Sequence, residues 1–259
     1  MQQKCHSILR DPRGRLTAQV ASVSHEFRHG DVIPEHFHPE HQLAYASQGV
    51  MTVHASHELW VVPPMRAVWI PAHTPHSITM SGAVSLRTLY FLPALADGLP
   101  KKCLVMNVSP LLRELILRAC EFEKLNRRVA GQRRLIEMIL EELQAVPTVP
   151  LRLPHPNDAR ALRVVRALAA NPADARTLEK LCKDCGASKR TVERLFLRET
   201  KMPFQKWRQQ LRLLRSVERL AAGEKVTAAA LEAGYTSTSA FIAMFRRELG
   251  TTPRRYLRD

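Results

Sequence analysis

Residues 177–196, TLEKLCKDCGASKRTVERLF, read as two short helices joined by a tight turn. Leu178, Leu181 and Cys182 recur at the i, i+3, i+4 spacing that gives the first helix one apolar face, and Gly186 offers a left-handed exit at no steric cost. Ser188 stands where the next helix needs a side-chain oxygen for its unpaired N–H groups. Beyond it Val192, Leu195 and Phe196 fall on one side, and Lys189, Arg190, Glu193 and Arg194 on the other. The apolar side anchors this helix to the first. Four long polar side chains are then left to reach base edges and phosphates in a major groove. Taken alone, the segment also fits an ordinary helical hairpin with a solvated charged face.

A second copy of the same plan argues for the sharper reading. Residues 226–245, VTAAALEAGYTSTSAFIAMF, give an Ala-rich helix, Gly234 at the turn, Thr236 and Ser237 in the cap region, and Phe241 and Phe245 at i, i+4. Between the copies Phe204, Trp207, Leu211, Leu214 and Val217 recur every three or four residues, which predicts one long helix with a buried stripe. The arrangement resembles the DNA-binding domain of AraC/XylS-type transcription regulators across residues 159–258. Gly234-Tyr235, the run Ser239 to Phe241, Phe245 to Arg247 and the closing GTTPRRY of residues 250–256 carry that resemblance.

The resemblance implies double-stranded DNA as partner, with two recognition helices entering successive major-groove faces on one side of the duplex. Base readout is expected from Lys189, Arg190, Glu193 and Arg194 in the first head. The matching positions of the second are Thr238, Ser239, Ile242 and Ala243, where Ala243 departs from the longer polar residue many relatives have. Arg246, Arg247, Arg254 and Arg255 follow the second recognition helix and are expected on phosphates.

Charge is distributed to match. The chain has 259 residues, a length that favours two domains over one, and a formal net charge of +15. Residues 1–150 hold 16 basic and 13 acidic side chains, whereas residues 151–259 hold 23 basic and 11 acidic. The excess sits in the half that carries the paired reading heads, as an electrostatic footprint on phosphates requires. No apolar run approaches the ~18 residues of a membrane span, and the N-terminus lacks the apolar core of a signal peptide, so a cytoplasmic protein with no membrane contact is expected. Cys5, Cys103, Cys120, Cys182 and Cys185 are odd in number and scattered, which argues against a disulfide framework. Cys182 and Cys185 form a C-x-x-C, but with no second Cys/His pair nearby Cys182 reads as core filler.

The N-terminal part reads as short strands. Residues 15–27 alternate apolar and polar, and strand-like runs follow at 42–46, 51–55, 67–70 and 85–91 between Pro and Gly breaks, the pattern of a small barrel or jelly roll. Ten of the 11 histidines lie in the first 76 residues, three of them in His36-Phe37-His38-Pro39-Glu40-His41. Along an extended segment His36 and His38 share a face, the arrangement by which two imidazoles can hold one metal ion. The spacing Gly30, His36-x-His38, Gln42, Gly49 resembles the first cupin motif, and His76 falls on the histidine of the second. Gln42 departs from the family's glutamate, and Met80 from its asparagine. The resemblance thus implies an effector pocket at His36, His38, Gln42 and His76, with Trp69 the expected pocket aromatic. A divalent transition metal on His36, His38, Gln42 and His76 is one use of it. A pocket in which the histidines hydrogen-bond a small ligand is the other, since an amide oxygen binds a divalent ion more weakly than a carboxylate.

From Pro110 the period turns helical. Leu111, Leu115, Ala119 and Phe122 form one stripe, and Leu135, Ile139, Leu143 and Val146 another, on helices expected either to pair subunits or to pack on the barrel. The stretch 147–156, PTVPLRLPHP, is expected to be a stiff linker with little to bury. The expected α+β chain therefore has a cupin-like β-barrel at 1–100, a helical dimerisation segment at 101–146, a proline-rich linker at 147–157, and an all-α domain at 158–259 with two helix-turn-helix units joined by a long helix. Its expected function is that of a sequence-specific regulator, homodimeric, that senses a small-molecule effector and, where it activates, meets RNA polymerase. The competing class is a cupin-type metalloenzyme, an isomerase or dioxygenase, with an accessory nucleic-acid domain; Glu35, Glu40 and His41 are then the nearby acid–base candidates.

Overall fold

A computed structural model describes residues 3–4, 7–11, 14, 16–55, 57–145, 148–149 and 151–256. The chain divides into two compact units, Met1–Ser56 with Trp60–Arg152, and His57–Leu59 with Leu153–Asp259. The first is mainly antiparallel sheet. Its strands are β1 (Gln3–Lys4), β2 (Val20–Phe27), β3 (Val32–Phe37), β4 (His41–Ala55), β5 (Glu58–Val62), β6 (Arg66–Ile70), β7 (His76–Phe91), β8 (Leu104–Asn107), β9 (Lys124–Leu125) and β10 (Thr148–Val149), followed by β11 (Arg152–Pro154).

The long strand β7 organises the sheet. One edge pairs with β4 along nearly its whole length; the other pairs with β2 through Val84–Phe91 and with β3 near His76–Thr79. β6, β8 and β10 continue outward from β4. Runs 42–46 and 51–55, read as separate strands, belong to the single strand β4. It stays continuous by absorbing register shifts between Ala46 and Val50, where Gly49 takes φ +78°. The sheet rolls up. A straight strand would hold His76 and Tyr90 about 46 Å apart, yet both rings pack against His38, at 5.2 and 5.1 Å between centroids.

Alternation sorts the two faces. Leu43, Trp69 and Leu89 lie opposite one another on one face and, with Tyr45 and Phe91, are buried in one cluster with residues of two helices, α1 (Pro110–Ala119) and α2 (Ala130–Ala145). Ser109 caps α1 through the Leu112 N–H, with Pro110 as its first residue. The buried stripe is Leu112, Ile116 and Ala119 rather than the one through Leu111, which is 49% exposed. In α2 it is Ile136, Ile139 and Leu143, with Leu135 only partly covered; Val146 lies outside the described residues. Adjacent leucine or isoleucine pairs make two stripes one residue apart, and the sheet they meet selects between them. Helix α1 also ends earlier than expected, because Lys124 and Leu125 leave the helical course to pair with Ala21 and Val20 of β2.

The stretch read as an idle linker contains β10, paired with β8, and β11. Leu151 and Leu153 are fully buried, so the segment does have apolar surface to cover. Pro147 and Pro150 lie outside the described residues.

The second unit is all helix after β11: α3 (Ala159–Ala170), α4 (Leu178–Asp184), α5 (Lys189–Thr200), α6 (Phe204–Ala221), α7 (Val226–Glu232), α8 (Thr238–Leu249) and α9 (Pro253–Tyr256). The stripe Phe204, Trp207, Leu211, Leu214 and Val217 of α6 is buried. Phe196 meets Phe204 and Trp207 edge-on, while Phe241, Phe245 and Tyr256 make a second aromatic cluster. The first helix-turn-helix is thus pinned to the start of α6, and the second holds its outward helix to α9 through its own aromatic cluster.

Candidate functional site

The two outward helices start as their sequences dictate. Ser188 caps α5 by accepting from the Thr191 N–H, and Ser237 caps α8 by accepting from the Ala240 N–H. Gly186 and Gly234 take φ +62° and +79° in the preceding turns, where a β-carbon would be strained. Cys182 and Cys185 are free and buried, and burial pushes the Cys182 thiol up, so both behave as core residues. The Arg163 guanidinium donates twice to the Cys185 carbonyl and closes the C-terminal end of α4.

On α5 Lys189, Arg190, Glu193 and Arg194 are all exposed opposite buried Val192, Leu195 and Phe196. Glu193 lies 4.0 Å from Lys189, whereas among the described residues Arg190 and Arg194 form no ion pair. Their guanidinium groups are left for a ligand. On α8 Ser239 and Ala243 are exposed, and Thr238 and Ile242 half-buried. Sequence reasoning missed Leu197, 56% exposed at i+3 from Arg194, and exposed Ala240 beside Ser239. Continuing the outward helical face by one turn would have found both. Arg246, Arg247, Arg254 and Arg255 are exposed at the last turn of α8 and on α9.

Two other arginines of the basic half do structural work. Arg208, though buried, donates to the carbonyls of Arg176 and Asp174; Arg212 donates to Pro172 at 2.9 Å and Asp174 at 3.1 Å. Hydrogen bonds from Arg176 hold the Asp174 carboxyl below its usual range. Together these groups pin the loop between α3 and α4 to α6.

In the sheet unit, His36, His38 and His76 converge, with ring centroids 4.3 Å (His36–His76), 5.2 Å (His38–His76) and 5.9 Å (His36–His38) apart. One ring nitrogen from each lies within 4.8 Å of the others. Each Nδ1 sits 2.8 Å from a backbone carbonyl, those of Pro34, Glu40 and Thr74. A carbonyl only accepts, so Nδ1 carries the proton and Nε2 keeps its lone pair, the tautomer of a metal-binding histidine. The Nε2 of His76 is buried with no hydrogen-bond partner. Burial holds His38 below its ordinary value and pushes His76 down to about 4, which keeps both neutral at physiological pH. Gln42 joins them, its Oε1 3.0 Å from His38 Nε2 and its Nε2 donating to Thr88 Oγ1 at 3.1 Å and Tyr90 at 3.4 Å.

Trp69 does not join them. Gln42 and Leu43 are neighbours on one strand, so Trp69, opposite Leu43, lies on the face turned to α1 and α2, where its Nε1 donates to the Pro100 carbonyl. Tyr90 is the aromatic at the histidines. Two of the acid–base candidates are committed to other partners. His41 Nδ1 accepts from the Ala72 N–H while its ring stacks on Trp69, Glu40 accepts from Ser7, and among the described residues no carboxylate completes a metal cluster with the three histidines.

The family profile of the AraC-like ligand binding domain matches residues 20–183, and that of a helix-turn-helix domain matches residues 181–259. The HTH-type transcriptional regulator NimR of Escherichia coli (strain K12) is 35% identical over 247 residues, covering 95% of this chain and 90% of its own. The HTH-type transcriptional regulator RipA of Corynebacterium glutamicum is 39% identical over 108 residues, 42% of this chain and 31% of its own. A solved structure of ToxT from Vibrio cholerae (P21 form) aligns over 92% of this chain and 98% of its own at 12% identity, with a TM-score of 0.39. Regulatory domains account for both halves. The two profiles together span residues 20–259 and NimR is similar over nearly the whole length, so the chain belongs to the AraC family and is a DNA-binding transcription regulator with a ligand-binding N-terminal domain.

Proposed function

We propose that Arg190, Glu193 and Arg194 read bases under the first recognition helix, with Lys189 beside them, and that Thr238, Ser239, Ile242 and Ala243 supply methyl contacts and shape readout under the second. The observation that supports this most directly is the pair of unpartnered, exposed guanidinium groups on α5. Arg194→Ala is expected to cost about 1–3 kcal/mol on the cognate site and to flatten base preference there. Binding titrations on cognate and random duplexes test it: an equal loss on both would make Arg194 a phosphate contact. Arg246, Arg247, Arg254 and Arg255 are assigned to phosphates. Arg247→Ala should lower the slope of log affinity against log salt by about one unit, and an unchanged slope would place Arg247 off the DNA.

The sensing end is the histidine pocket of the sheet unit. A divalent transition metal held by His36, His38 and His76, with Gln42 as fourth donor, is supported by the shared tautomer and the orphaned Nε2 of His76. Elemental analysis of the purified protein tests this: about one ion per chain is expected, and none would leave a pocket of neutral histidines that hydrogen-bond an effector. The working division is a sensing domain at 1–100, a helical segment at 101–146 that pairs subunits through faces carrying exposed Leu111 and Met138, a connector at 147–157 and the DNA-binding domain at 158–259. The protein then acts in the cytoplasm as a homodimer, with RNA polymerase a further partner where it activates. Among the described residues no helix is long and apolar enough to cross a membrane.

A further inference from the structure

We infer that the histidine site takes its effector as a small anion, a carboxylate or similar group, that ligates the bound ion directly; this rests on reading the site as a metal centre. The argument begins with charge. The donors are three neutral imidazoles and an amide, and among the described residues no aspartate, glutamate or cysteine joins them. A divalent ion there keeps its full double charge in a pocket whose walls are largely desolvated, His76 being fully buried and His38 nearly so. An uncompensated buried charge is costly, and buried Glu40, which acts on His38 without joining the donors, can offset at most one of the two charges, so the rest has to come from outside.

The amide strengthens the case for a cation. Thr88 donates its hydroxyl proton to the Leu43 carbonyl and its oxygen accepts from Gln42 Nε2, a pair of bonds that sets the orientation of the Gln42 amide. Gln42 Oε1 is therefore held toward His38 Nε2, whose proton is committed to Nδ1 and the Glu40 carbonyl. Two lone pairs facing each other at 3.0 Å repel. A cation between them turns that repulsion into ligation.

Coordination and access point the same way. Three imidazoles and the Gln42 amide fill four positions, so an exogenous ligand binds a divalent ion here as a fifth, by expansion of the coordination shell. His36 is half-exposed where His76 is not, so solvent reaches the site from the His36 side. The charged groups that act on His38 and His76 are Glu40 and the other histidines, with no lysine or arginine among them. Without its ion the site sets no cationic side chain against His38 or His76, so anion binding is expected to depend on the metal.

The test uses the full chain stripped with a chelator, reloaded with cobalt(II), and titrated with sodium azide and with sodium acetate while the visible cobalt absorption is followed. One cobalt per chain with an absorption band that shifts saturably with either anion is expected, and no heat of anion binding to the stripped protein. His76→Gln, checked for native circular dichroism, should lose cobalt affinity by about tenfold or more and with it the shift. Cobalt bound at one per chain with a band indifferent to both anions through the millimolar range overturns the anion inference and leaves the metal reading standing. Failure to bind cobalt at all removes both.

Discussion

Trp207→Ala is expected to destabilise the helical unit by about 3–5 kcal/mol and to abolish operator binding at physiological temperature. The side chain is completely buried on α6, and Phe196 of the first recognition helix meets it edge-on at 5.2 Å. Its Nε1 donates to the Pro154 carbonyl at 2.8 Å. Removing the ring opens a cavity beneath α5 and leaves that buried carbonyl without its donor, two separate costs. Domains have only about 5–15 kcal/mol in hand, so the loss is a large share of the total. Urea unfolding followed by helical circular dichroism reads the first effect and a gel-shift titration the second. Trp207→Phe keeps most of the packing and forfeits the hydrogen bond, so it should cost about 1–3 kcal/mol. An alanine variant with an unchanged unfolding midpoint would mean that the stripe of α6 is not what holds the reading heads.

The helical half was readable in advance because its signals are local. A cap serine, a left-handed glycine and an i, i+3, i+4 stripe each act within one turn of chain, and Ser188, Gly186 and the Phe204–Val217 stripe all occur as expected. Arg208 and Arg212 were not legible as clamps, because their partners are carbonyls of a loop more than thirty residues away in sequence. In the sheet unit, the convergence of His36, His38 and His76 was legible from motif spacing. The position of Trp69 was not: which face it takes depends on pairing with Leu43, a fact of register rather than of composition. The phase of α1 failed for a related reason. With Leu111 beside Leu112, only the surface the helix meets decides which one is buried.

Gly49→Ala is expected to destabilise the sheet unit by about 2–5 kcal/mol, from backbone strain and overpacking together. Gly49 has φ +78°, and a β-carbon placed on it would lie 2.3 Å from the Ala83 carbonyl oxygen and 2.7 Å from Val84 Cγ2. Ala83 lies in the gap of the β7 register between Ser81 and Ser85, so a methyl group on Gly49 would have to push its carbonyl or the crossing of β4 and β7 apart where their register shifts. Those two strands also carry the pocket: Gln42 lies on β4 before the bulge, while His76, Thr88 and Tyr90 lie on β7 to either side of it. Loss of stability and loss of the histidine site should therefore come together. Gly30→Ala is the matched control. Gly30 has φ +86° but nothing within 4 Å of the added carbon, so strain alone applies, about 1–2 kcal/mol. Thermal melts of the two variants, read beside their metal content, separate the contributions. Equal losses would show that the β4–β7 crossing has room for a methyl group, and that Gly49 is there for its backbone angle alone.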